Sequence, residues 1–121
     1  MGQRAFAIGG CFYGLTGVGL GAFGAHGLAG LDPARLASWD NAVTYQLLHA
    51  VALLVIARFA DNVAWRVAGW SFLTGVLLFS GSIYLLILGG PRILGPITPV
   101  GGVAFLIGWA ALLYSAVKHN R

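Results

Sequence analysis

The placement of the charged residues constrains this chain more than any other feature. Its 121 residues include seven Lys or Arg, three Asp and no Glu. These charges leave four uncharged runs, which cover residues 5–31, 41–57, 67–91 and 93–117. A helix that crosses a bilayer needs about 17–25 mostly apolar residues, so each run is long enough. Because lipid offers no hydrogen bonds to the backbone, such runs are expected to form helices.

The overall composition points to the same class of protein. Apolar residues make up 59% of the chain and charged residues 8%, whereas soluble domains carry about 25% charged residues. The sequence therefore predicts an all-α membrane protein with a single domain over residues 1–121. We expect a four-transmembrane-helix bundle with spans at approximately 5–26, 41–58, 67–88 and 98–117.

The basic residues are distributed unevenly between the two ends of this bundle. Five of the seven lie at the amino end, in the connection over residues 58–66 or at the carboxyl end, and the other two are Arg35 and Arg92. The positive-inside rule then places both termini in the cytoplasm. Because the basic residues stand singly, they form no patch for nucleic acid, and the predicted partner is the lipid bilayer.

The first span carries regularly spaced glycines at intervals of 4, 3, 4 and 3, namely Gly10, Gly14, Gly17, Gly21 and Gly24. This spacing places the glycines on one helix face. Small residues let membrane helices approach closely, so the stripe predicts a helix-packing seam. The alternative is a generally glycine-rich helix, since the chain holds 19 glycines.

Local signals mark the ends of two further spans. Asp32 and Pro33 are typical of a helix N-cap and first helical position, and Thr98 and Pro99 give the same signal for the last helix. Trp39 is expected at the headgroup level, as part of an aromatic belt.

A short sequence echo links the first and third spans. Leu-Thr-Gly-Val occurs at residues 15–18 and again at 73–76. Duplication of a helical hairpin would produce this echo, as it does in many transport proteins. Chance similarity between two glycine-rich apolar segments would also produce it.

Two histidines in the uncharged runs are the strongest candidates for a functional site. Tyr45, Gln46 and His49 can share a helix face because they are spaced three and four residues apart. An antiparallel hairpin brings His26 to the same half of the bundle. His26, Gln46 and His49 are therefore predicted to point inward, and together with Tyr45 they form a candidate polar cluster.

This cluster allows two interpretations. Neutral imidazole is a common ligand, so His26 and His49 could bind haem or a metal ion. Alternatively, the cluster holds helices in register by hydrogen bonds. Two histidines are too few for a closed zinc site, which takes four ligands, and Cys11 has no second cysteine to pair with. We favour the structural cluster and expect no catalytic residue, metal or cofactor.

Four ordered motifs carry a family resemblance. They are Gly21-Ala22-Phe23-Gly24-Ala25-His26, Tyr45-Gln46-Leu47-Leu48-His49-Ala50, Gly81-Ser82-Ile83-Tyr84 and Ile97-Thr98-Pro99-Val100-Gly101-Gly102. With these motifs the chain resembles the bacterial family known as domain of unknown function 423, to which animal transmembrane protein 256 is similar. The resemblance implies a small four-helix protein of the bacterial inner membrane. It implies no established activity, so no functional residue can be carried over.

Together these observations favour a non-enzymatic structural or accessory subunit that packs in a membrane complex or a homo-oligomer. The absence of charge inside the spans argues against a transporter driven through an embedded carboxylate. The alternative is a small transport, haem-binding or metal-binding membrane protein that uses His26, Gln46 and His49.

The charge bias yields a topology prediction. A reporter enzyme fused after Arg121 should behave as a cytoplasmic fusion, because the basic residues hold that end of the bundle inside the cell. Matched fusions of a phosphatase, active only outside, and a fluorescent protein, active only inside, measure the orientation. Phosphatase activity from the fusion after Arg121 would contradict the prediction.

Overall fold

The computed structural model describes residues 2–119 and contains four long helices. We name them α1 (Gly2–Gly27), α2 (Pro33–Arg58), α3 (Val63–Ile87) and α4 (Ile97–His119). All four are long and apolar enough to cross a membrane, which confirms the predicted four-helix transmembrane fold. Arg121, which contributes to the charge bias, lies outside the described residues.

Each helix extends beyond its uncharged run. α2 starts at Pro33 with Asp32 at the N-cap position, but the Asp32 side chain makes no capping hydrogen bond and instead lies 3.6 Å from Arg35. α4 begins at Ile97, so Thr98 lies inside its first turn, and its hydroxyl pairs with that of Ser82 instead of capping the helix. Helices can continue outside the hydrocarbon because water satisfies the polar groups there.

The four helices pack as two hairpins. α1 lies along α2 and α3 lies along α4, and the hairpins meet mainly through α2 and α3. Within residues 2–119, no Cα atom of α2 comes within 8 Å of a Cα atom of α4. The central helices are therefore α2 and α3, and only side chains bridge the gap between α2 and α4. The hairpin duplication stays a prediction.

Glycines bring α1 close to α2. A Cβ atom added at Gly10, Gly17 or Gly24 would lie within 3.0 Å of atoms of α2, and one at Gly21 would lie 3.3 Å from Val43. Gly14 has open space instead, so its assignment to the seam is wrong. Gly10, Gly17 and Gly24 are seven residues apart, which keeps them against a neighbouring helix. Gly14 and Gly21 lie about 40° to one side of them, and of these two only Gly21 has an atom of α2 within 4 Å of an added Cβ.

Trp39 fills the space that Gly24 leaves. Its side chain is fully buried, and its indole nitrogen donates a hydrogen bond to the Leu20 carbonyl at 2.8 Å. The ring also packs on Tyr84 with centroids 4.7 Å apart. The expectation that Trp39 faces the headgroups is therefore wrong. A glycine opposite the indole makes room for it between the helices, and an internal carbonyl replaces water as the acceptor.

The glycine contacts lead to a stability prediction. Gly17→Leu should destabilise the protein by about 1–3 kcal/mol, the usual cost of overpacking, because a Cβ there would lie 2.6 Å from the Leu47 side chain. Thermal unfolding in detergent measures the effect. Gly14→Leu is the matched control on the same helix and should unfold near the wild-type temperature. Equal behaviour of the two variants would show that α1 does not pack on α2 through Gly17.

Candidate functional site

Gln46 is a buried polar side chain of α2 that forms hydrogen bonds to both α1 and α3. Its amide nitrogen donates to the Tyr13 carbonyl at 2.9 Å and to the Thr16 hydroxyl at 2.8 Å, both on α1. Its amide oxygen accepts a hydrogen bond from the Tyr84 hydroxyl of α3 at 2.7 Å. Both amide protons and the oxygen are thus engaged, so Gln46 holds α1, α2 and α3 in one register.

Two further side chains tie α3 to the first hairpin. The Tyr13 hydroxyl donates to the Leu73 carbonyl at 2.7 Å, and the Ser80 hydroxyl donates to the Ala42 carbonyl at 2.8 Å. Sequence reasoning did not identify the role of Tyr13. No spacing rule points to this tyrosine, because its acceptor is a backbone carbonyl 60 residues away.

A π-helical turn over Val76–Ser80 interrupts α3 next to these contacts. Its Phe79 lies against the backbone of α4, where a Cβ added at Gly101 would come 2.3 Å from the Phe79 nitrogen. The Phe79 ring lies 4.9 Å from that of Tyr45 and 5.5 Å from that of Phe105. Such turns are often found at functional sites. Here the turn places one aromatic ring between α2 and α4.

His49 connects α2 to α4. Its Nε2 accepts a hydrogen bond from the Trp109 indole at 2.9 Å, and its Nδ1 lies 2.7 Å from the Tyr45 carbonyl. An indole can only donate and a carbonyl can only accept, so the imidazole is neutral with its proton on Nδ1. The ring is 1% exposed and stacks on Phe105 with centroids 3.9 Å apart. The lone pair that a metal ion or haem iron would need is thus already engaged.

His26 does not join this cluster. It is exposed, and its Nδ1 lies 3.0 Å from the Ala22 carbonyl of its own helix. The prediction that His26 points inward is therefore wrong. His26 follows Gly24 by two residues, which is about 200° of helix rotation. Because Gly24 faces α2, His26 faces the opposite side.

Tyr45 lies at the edge of the cluster. Its ring stacks near His49 and Phe105, but it is 43% exposed. Among residues 2–119, the Tyr45 hydroxyl has no hydrogen-bond partner. The structure thus separates the predicted cluster into Gln46 facing α1 and α3, His49 facing α4, and Tyr45 at the surface.

Tyr45 and His49 line a groove between α2 and α4 with a volume of about 590 Å³. We call it the α2–α4 groove. Its other walls are Leu48, Phe79 and the part of α4 from Pro99 to Trp109. Within residues 2–119, no three His, Cys, Asp or Glu side chains come together as potential metal ligands. The groove is therefore an aromatic, mostly apolar surface in which a neutral imidazole is held by two hydrogen bonds.

The geometry of His49 leads to a prediction that separates the two interpretations. His49→Gln should be mild, since an amide can still accept from Trp109, whereas His49→Leu strands the indole N–H. Cross-helix hydrogen bonds in membranes average about 0.6 kcal/mol and reach about 1.7 kcal/mol, which sets the expected loss. Thermal unfolding of both variants measures it.

A second substitution sharpens this test. Adding Trp109→Phe to His49→Leu removes the stranded donor, so the double variant should lose less than the two single losses combined. Metal content and visible absorption are measured on the same samples. A stoichiometric metal or haem that disappears equally in His49→Gln and His49→Leu would overturn the structural interpretation.

Sequence comparisons place the chain among bacterial membrane proteins. Residues 20–102 match the family described as "Protein of unknown function (DUF423)". The chain is 46% identical over 122 residues to the UPF0382 membrane protein YwdK of Bacillus subtilis, a match that covers 97% of this chain and 99% of YwdK. It is 44% identical over 121 residues to the UPF0382 membrane protein SAB0533 of Staphylococcus aureus, with 96% and 98% covered.

The similarity extends to a third genus. A UPF0382 membrane protein of Haemophilus influenzae is 44% identical over 106 residues, which covers 85% of this chain and 86% of that protein. No solved structure shows a significant match to the chain. The resemblance inferred from the four motifs is confirmed, and the chain belongs to the DUF423 family of UPF0382 multi-pass membrane proteins.

Proposed function

We propose that this protein is a non-enzymatic structural or accessory subunit of the bacterial inner membrane, which packs against another membrane protein or a copy of itself. The observation that carries the proposal is the way Gln46 and His49 are hydrogen-bonded. Gln46 spends its hydrogen-bonding capacity on α1 and α3, and His49 divides its own between Trp109 of α4 and the Tyr45 carbonyl of its own helix. Side chains committed in this way stabilise a framework and are poorly placed to exchange protons with a substrate.

The outward face of α1 supplies a surface for such packing. The buried residues of α1 are four glycines and Phe6, and large apolar side chains on another of its faces point away from the bundle. Leu15 is 75% exposed and Val18 is 65% exposed, and Cys11 lies exposed beside them. Positions 11, 15 and 18 share one helix face, and a partner helix could contact it along two turns.

The rival function, haem or metal binding with associated transport, has weaker support. His49 holds its Nε2 lone pair against the Trp109 indole, and His26 faces away from it on another helix. A ligand bound between them would require the indole to leave and α1 to rotate. Both changes would break the contacts that hold α1 and α4 in place.

Assembly size tests the proposal. After extraction from native membranes in lipid particles, the protein should behave as an assembly larger than one chain, and oxidation should cross-link Cys11 if the partner is a second copy. Val18→Trp should reduce the assembly, because the added bulk separates the facing helices. Leu113→Trp is the matched control on α4, where the replaced side chain is equally exposed at 65%.

One result from the same preparation would contradict the proposal. A wild-type protein that runs as a single chain surrounded only by lipid would refute the accessory-subunit proposal. A Soret absorption band on such a single chain would support the rival function.

A further inference from the structure

The α2–α4 groove lies at the depth of the hydrocarbon. Its α2 wall spans residues 45–49, inside the uncharged run 41–57, and its α4 wall spans residues 99–109, inside the run 93–117. The rim is apolar and open to the side, with Leu48 55% exposed and Leu106 70% exposed. Whatever fills this groove therefore comes from within the membrane.

The size of the groove selects the kind of occupant. The groove has a volume of about 590 Å³ and runs along α4 from Pro99 to Trp109, a distance of roughly 15 Å at the helical rise per residue. A transmembrane helix, about 10–12 Å across with its side chains, would cover the open side of the groove without filling it. An extended hydrocarbon chain, whose carbons contact their neighbours at about 3.5–4.0 Å, does fit.

Tyr45 adds a polar requirement at one side of the groove. Its hydroxyl has no acceptor among residues 2–119, and a donor left unpaired away from water is unfavourable. Side chains on a helix lean toward its N-terminus, so this hydroxyl is directed toward the end of the bundle where α2 begins. An occupant with an acceptor oxygen next to a long apolar chain would satisfy both features.

We propose that the α2–α4 groove binds one phospholipid, with an acyl chain lying against Phe105 and Leu106 and an ester carbonyl accepting the hydrogen bond of Tyr45. Gly102 forms part of the groove wall, and a Cβ added there meets no atom within 4 Å. The backbone of α4 is therefore open to the chain at this point. A larger residue at position 102 would occupy the space of the lipid without displacing a protein atom at its Cβ.

Photolabelling tests this site. The full chain is placed in lipid nanodiscs of phosphatidylcholine that contain a small fraction of phosphatidylcholine with a diazirine in the middle of one acyl chain. After irradiation, labelled peptides are mapped by mass spectrometry. Labelling of residues 99–109 should exceed that of Val51 and Val55, exposed residues of α2 outside the groove, by about tenfold, which corresponds to 1.4 kcal/mol of preference.

Substitutions test whether the groove causes the excess labelling of residues 99–109. Gly102→Leu should lower the labelling of residues 99–109 to the level of Val51 and Val55. Gly19→Leu is the matched control, because a Cβ at Gly19 also meets open space but lies on α1, away from the groove. Tyr45→Phe, which keeps the ring and removes only the hydroxyl, should lower the labelling partially. Circular dichroism melts confirm that each variant is folded.

Two outcomes would overturn the proposal. Equal labelling of the groove and of Val51 and Val55 in the wild type would show ordinary lipid contact only. An unlabelled groove in the wild type would show that another protein segment covers it. Leu106→Trp, which fills the groove from its rim, provides the test if Gly102→Leu does not fold, and it should remove the excess labelling in the same way.

Discussion

Gln46 is the point at which a single buried side chain joins the first three helices by hydrogen bonds. A glutamine amide buried in a membrane protein is costly unless each polar atom finds a partner. Gln46 reaches its α1 partners because the α1 backbone lies close to α2 at Gly17, where an added Cβ would come 3.3 Å from the amide nitrogen. The polar contact therefore requires the glycine contact.

The fourth helix is attached in a different way. Its contact with α2 consists of aromatic side chains and the hydrogen bond from Trp109 to His49, whereas its contact with α3 is made through close backbone approach at Gly101. The π-helical turn directs Phe79 into the space that remains. The α2–α4 groove thus results from a bundle in which two helices are bridged by rings instead of packed backbone to backbone.

The motifs that carry the family resemblance coincide with contacts between helices. Gly24 packs against Trp39, Gln46 accepts a hydrogen bond from Tyr84, and the hydroxyl of Ser82 pairs with that of Thr98. None of these contacts brings an acid or base to a reactive hydroxyl, as nucleophilic catalysis would require. A family pattern made of packing and hydrogen-bonding positions is consistent with a structural role.

The sequence by itself determined the number of spans, because uncharged runs must form helices in lipid. Its prediction that α1 packs through a glycine stripe agrees with the contacts at four of the five glycines and is wrong at Gly14. The sequence also showed that Gln46 and His49 share a helix. Only the tertiary structure decided that these two face different neighbours, that His26 points outward and that Trp39 points inward. Those outcomes depend on the rotation and approach of helices that are distant in sequence, which side-chain packing sets and local spacing does not encode.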